Sequence, residues 1–130
     1  MRLAVALTLA LSLLSCAKNP SPVQEGDVIL KAKMAAVALG TLQHSAIELN
    51  KIETCNSATP PVCSPVLSEA NTGIVVDAVT DALTTMKSVP SGWRATVDSA
   101  LARVVMRLDE AGKTQLSRYI EAAKLVLGGL

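Results

Sequence analysis

The chain has 130 residues, half of them apolar, a length that suits one domain with a modest core. Twelve Lys plus Arg stand against eleven Asp plus Glu, for a formal net charge of +1, so the basic excess that a nucleic-acid partner calls for is missing. Phenylalanine is absent, and Trp93 and Tyr119 are the only aromatic residues, so a core has to be assembled from small and branched aliphatic side chains, which favours closely packed helices.

In chain order, Arg2 and the amino terminus form a short positive region, Leu3 to Leu14 is an apolar or near-apolar run, and small Ser15 closes it. This is the layout of a secretory signal. The run is too short for a permanent span, because a helix needs about 20 apolar residues to cross a hydrocarbon layer of roughly 30 Å. Leu13-Leu14-Ser15-Cys16 then resembles the lipobox of bacterial lipoproteins, with an apolar residue three positions before the cysteine and a small one immediately before it.

The resemblance implies thioether attachment of diacylglycerol to Cys16, cleavage before it, and acylation of the new amino terminus. Two or three acyl chains anchor stably, at about 0.8 kcal/mol per buried methylene. On this reading residues 1–15 are a lipoprotein signal peptide, 16–25 a lipidated amino terminus and tether, and 26–130 the folded domain. Ala17 stands where an aspartate signals retention in the inner membrane of enterobacteria-like species. The expected location is therefore the bacterial cell envelope, lipid-anchored, at the outer membrane.

Pro20 and Pro22 interrupt any apolar period between Ala17 and Glu25, which reads as an extended tether. Asp27 is placed to cap a first helix, and Val28, Ala32, Ala35, Leu39, Leu42, Ala46 and Leu49 recur at alternating spacings of four and three, predicting one helix over Asp27 to Thr54. Pro60 and Pro61 make the segment between Cys55 and Cys63 a loop. With an export signal and Cys16 taken by lipid, Cys55 and Cys63 are the natural disulfide pair; their spacing is neither a redox C-x-x-C nor part of a zinc pattern.

A second helix can begin at Ser64-Pro65 or one turn later at Ser68-Glu69 and runs to about Ser88, with Val75, Val79, Ala82, Met86 and Val89 as its seam. Ser91 is the expected cap of a third helix whose seam is Trp93, Val97, Ala100 or Leu101, Val104 and Leu108. Gly112 is the expected stop of that helix, and Thr114 the cap of a fourth with Leu116, Ile120, Ala123 and Leu127 inside. No alternating strand pattern is present. Four such stripes predict an all-α fold, an antiparallel four-helix bundle; a long first helix packed with a less regular three-helix remainder is the other arrangement they allow.

For chemistry the chain offers little. His44 is its single histidine, one turn from Glu48, and is expected to pair with it at the surface. Asp77 and Asp81 are four apart on one helix face, with Arg103 and Arg107 as possible partners from the next helix; a solvated charge pattern accounts for them. Neither a nucleophile elbow nor a glycine-rich phosphate loop occurs, so no catalytic residue, metal site or cofactor is expected.

The long first helix, the cysteine-flanked loop and the Gly92-Trp93-Arg94 start of the third helix together resemble small helical lipoproteins encoded by tailed bacteriophages and prophages. That resemblance implies a role in lysis or in excluding a second phage. The expectation from the sequence is thus a non-catalytic module, held to the membrane by Cys16, that contacts another envelope protein; the alternative is a structural or assembly accessory of the outer membrane.

Overall fold

A computed structural model describes residues 22–130; the expected signal peptide, Cys16 and the residues that join it to position 22 lie outside that range. The described chain is mostly helical: α1 (Pro22–Lys51), β1 (Glu53–Cys55), β2 (Cys63–Pro65), α2 (Glu69–Ser88), a 3₁₀ turn (Pro90–Gly92), α3 (Trp93–Arg107) and α4 (Glu110–Gly128). The all-α expectation holds, with two three-residue strands added that the sequence pattern did not announce.

The apolar seams become the core almost residue for residue. Ala32, Ala35, Leu39, Leu42 and Ala46 of α1 are buried, as are Val75, Val79, Ala82 and Met86 of α2, the whole α3 seam from Trp93 to Leu108, and Leu116, Ile120, Ala123 and Leu127 of α4. Val28 and Leu49, at the ends of the α1 seam, are partly buried against this core, and Val89 is exposed: it lies beyond α2 and caps it through its backbone N–H. Leu67, between β2 and α2, is fully buried although no helical period pointed to it.

Helix α1 packs against α2, α3 and α4, and α2 packs against α3, whereas α3 and α4 share few contacts although they are consecutive in sequence. An open cleft lined by Asp98, Leu101, Ala102, Val105 and Lys124 lies between those two helices. The alanines at 32, 35, 38 and 46 explain why α1 can serve three neighbours at once, since a helix without bulk along its seam lets other backbones come close.

Several boundaries differ from the sequence reading, each for an identifiable reason. Helix α1 begins at Pro22 rather than Asp27, because proline at the first helical position gives up only an N–H that has no intrahelical partner. Asp27 is therefore inside the helix, where its carboxylate pairs with Lys31 at 3.2 Å. The helix ends at Lys51 because Ile52 O accepts the N–H of Val66 and Leu49 O that of Leu67, which starts a hairpin. Of the two possible starts of α2, the later is realised: Ser68 Oγ accepts from Asn71 N. Ser91 caps nothing; it sits in the 3₁₀ turn ahead of α3, whose cap position is Gly92.

The largest correction concerns the start of α4. Gly112 does not stop α3, which ends at Arg107; it lies buried in the first turn of α4, and the cap is Asp109 rather than Thr114. Asp109 Oδ1 accepts from Gly112 N at 2.8 Å and from Asn71 Nδ2 at 2.9 Å, while Asp109 N donates to Asn71 Oδ1 at 3.3 Å. Asn71, only 3 % exposed, is the one buried polar side chain among the described residues, and these bonds satisfy both ends of its amide. Glycine is required at 112 by space: a Cβ there would stand 2.6 Å from the Asn71 side chain.

That clasp yields two expectations. Gly112→Ala should lower stability, because forcing a methyl against a held amide costs about 1–3 kcal/mol and the better helix propensity of alanine returns only about 1 kcal/mol. In an Asn71→Ala background the same substitution should cost nothing or stabilise, a coupling that a double-mutant cycle of urea midpoints will read; equal costs in both backgrounds would reject the contact.

The second is a pH dependence. The Gly112 N–H and then the Asn71 amide hold the Asp109 carboxyl below its ordinary range, with the Ala111 N–H assisting and desolvation opposing. A carboxylate depressed in the folded state contributes stability above its unfolded pKa, about 3.9, and that contribution is lost as pH falls through the folded value. Asp109→Asn should therefore be less stable than wild type at pH 7, and the gap should narrow towards pH 3. A gap that stays constant with pH would sink the assignment.

Candidate functional site

Cys16, the residue expected to be lipidated, lies outside the described residues. Among the described residues no helix is long and apolar enough to cross a membrane. Nor do three or more His, Cys, Asp or Glu side chains come together there in a group that could hold a metal ion.

Cys55 and Cys63 are bonded to each other. The segment between them is the tip of a hairpin rather than a free loop: β1 and β2 run antiparallel with Cys55 opposite Cys63, Thr54 opposite Ser64 and Glu53 opposite Pro65. Asn56 closes the tip, its Oδ1 accepting from Ala58 N and Val62 N while its N–H donates to Val62 O. At the base, Asn50 Nδ2 donates to Leu67 O, and buried Leu67 anchors the hairpin to the core. The hairpin is exposed throughout, with Ile52 and Val62 apolar at its surface.

The charged candidates remain solvated. His44 is exposed and not paired with Glu48, which instead binds Lys51 at 3.3 Å, one turn nearer the end of α1. Arg103 reaches Asp81 across the α2–α3 pair at 2.6 Å, whereas Arg107 and Asp77 form no ion pair among the described residues. With Asp81 mostly exposed, such a bridge contributes about 0–1 kcal/mol. Arg94 lies over the ring of Trp93, 4.5 Å from its centroid, covering one face of the buried indole. These positions stabilise the helix surface and bring no nucleophile, base and orienting group together.

What the seams did not reveal is the outer side of α1. Ile29, Leu30, Met34 and Val37 are all exposed, Leu30 by 56 % and Val37 by 69 %. At 100° per residue, Leu30, Lys33 and Val37 lie nearly opposite the buried line through Ala35, Leu39, Leu42 and Ala46. Shallow grooves flank them. One, of about 350 Å³, runs between α1 and α4 and includes Met34, Val37, Tyr119 and Val126. The other, of about 320 Å³, runs between α1 and α2 and includes Ile29, Lys33, Leu83, Met86 and Lys87.

The room that small core residues leave is at the surface, where short side chains fail to fill the valleys between helices. The available signal was that the amino-terminal half of α1 is apolar on its outer side as well as its inner one, which a core-facing stripe alone does not require.

Compared with protein-family models, with curated proteins and with solved structures, the chain matches none. The candidate surfaces therefore rest on geometry: a cross-linked hairpin at the carboxyl-terminal end of α1 and an apolar face along its amino-terminal half.

Alkylation of protein taken from the producing cell, denatured without reductant, should label neither Cys55 nor Cys63. The double variant Cys55→Ser with Cys63→Ser should keep its helical circular dichroism and lose up to about 2.5 kcal/mol, the chain-entropy value for so small a ring. Loss of the helical signal would mean that the hairpin, rather than the apolar seams, holds the helices together.

Proposed function

We propose that this chain is a small lipid-anchored lipoprotein of the bacterial cell envelope, non-catalytic, acting as an accessory by contact with another membrane-associated protein. The observation that carries the reading is the order of features at the amino terminus: a positive residue, an apolar run, and Leu13-Leu14-Ser15-Cys16. Diacylglycerol on Cys16 supplies the anchor, and Ala17 favours the outer membrane over retention at the inner one.

The four helices are read as an antiparallel bundle opened on the α3–α4 side. Only five residues separate Cys16 from Pro22, so the helices start within about 20 Å of the lipid, at no more than about 3.5 Å per residue. A module held this close has a high effective concentration towards membrane partners, so that a weak interface suffices. The exposed, cross-linked hairpin is the surface assigned to that contact. Thirty residues of helix at about 1.5 Å each put it roughly 45 Å from the start of α1. The likeness to phage-encoded lipoproteins makes lysis or exclusion of a second phage the biological settings to test first. A structural or assembly accessory of the outer membrane fits the same anchor and is the second reading.

Mass spectrometry of membrane-extracted protein should show a chain beginning at Cys16 and carrying fatty acyl mass. Cys16→Ser, still folded and abundant, should abolish whatever envelope phenotype deletion of the gene produces. An unmodified Cys16, or full activity of the unanchored variant, would reject the proposal.

A further inference from the structure

We infer that the outer face of the amino-terminal half of α1, with the grooves beside it, rests on the surface of a bilayer containing anionic phospholipid, so that α1 lies along the membrane instead of standing out from it. This inference builds on the anchored reading of Cys16 and adds an orientation to it.

The placement of the face comes first. Pro22 opens α1 a few residues after Cys16, and the apolar positions follow within the next turns: Ile29 about 10 Å and Val37 about 22 Å along the helix from Pro22. The anchor's reach, about 20 Å from Cys16 to Pro22, lets that stretch meet the lipid surface side-on. The hairpin, at the far end of the same helix, is then presented along the membrane, at the height of other membrane-bound proteins.

The chemistry of the face comes second. Leu30, Met34 and Val37 are exposed at its centre, and Val126 of α4, which lines the α1–α4 groove and is itself exposed, extends it. Helix α3 lends no residue to either groove, so the face is one side of the molecule and not a ring around it. The cations in and beside it are Lys33 and Lys87, in the α1–α2 groove, and among the described residues neither makes an ion pair. An apolar strip bordered by unpaired lysines is the composition that sinks into the headgroup region, the apolar side chains reaching the acyl boundary while the ammonium groups meet phosphate.

The test uses the full chain with its native anchor, purified from membranes and reconstituted into vesicles of phosphatidylethanolamine and phosphatidylglycerol. A nitroxide is placed at Val37→Cys and, in a second sample, at Ser99→Cys, an exposed position on α3. With Cys55 and Cys63 joined and Cys16 acylated, each sample has one free thiol.

The label at 37 should be shielded from a water-soluble relaxation agent and open to oxygen, the label at 99 should remain aqueous, and Leu30→Glu should remove the shielding at 37 without releasing the protein from the vesicles. If both labels are equally aqueous while the protein floats with the vesicles, the face does not touch lipid and the docking fails, with the anchor unaffected. Shielding at 37 accompanied by spin–spin broadening between chains would mean that a second copy covers the face, which overturns the bilayer as its occupant. Protein that does not float at all would overturn anchor and docking together.

Discussion

The close packing that alanine allows along α1 is the constraint on which the other elements depend. Ala35 and Ala46 are fully buried, Ala32 and Ala38 nearly so, and α2, α3 and α4 all meet this one helix. In a chain without phenylalanine, Trp93 is the one buried aromatic ring among the described residues, and it cannot bridge widely spaced backbones along the whole core. Core density then has to come from short distances between helices, with Leu39, Leu42, Leu67 and Leu116 as the larger fillers. Helices suit this composition because their backbone hydrogen bonds are internal, so side chains can shrink without leaving polar groups unpaired.

A second constraint sets where the last helix begins. Asn71 leaves the first turn of α2 and meets Asp109 and Gly112 at the first turn of α4, so two helix amino termini share one hydrogen-bonded knot. The carboxylate answers an unpaired N–H of its own helix and sits at the positive end of the α4 dipole. Each member depends on the others: a larger residue at 112 displaces the amide, and without the amide the carboxylate loses a donor. This knot lies in a fold whose α3 and α4 otherwise share few contacts, and it ties the start of α4 to α2 instead.

Helix α1 has two apolar sides with different consequences. The inner one is consumed by the core. The outer one, near the proposed anchor, is left with Leu30, Met34 and Val37 in solvent and grooves to either side. The hairpin at its far end is apolar at the surface in a different way, through isolated Ile52 and Val62 on a cross-linked scaffold that holds its shape without a core of its own. The proposed anchor, the outer face and the cross-linked tip thus follow one another along the chain, which is the order the proposed contact at the membrane uses.

The sequence by itself determined the helical class, the buried seams and the cysteine pairing. Spacings of three and four between apolar residues are local and survive any tertiary arrangement, and the expected export, with Cys16 taken by lipid, leaves two thiols with only each other. It also carried the resemblance of Leu13-Leu14-Ser15-Cys16 to a lipobox, which depends on a linear pattern and not on folding. Tertiary structure alone decided the rest. Asp109 displaced Thr114 as cap because Asn71, far away in sequence, was there to share its carboxylate. Gly112 moved from a helix stop to a helix interior because that same amide needs its missing Cβ. The strands arose because the disulfide and the end of α1 bring two short extended segments into register, which no alternation of side chains encodes. The outer face of α1 became visible only when α2, α3 and α4 had taken their places, since a helix apolar on both sides does not say which side its neighbours will cover.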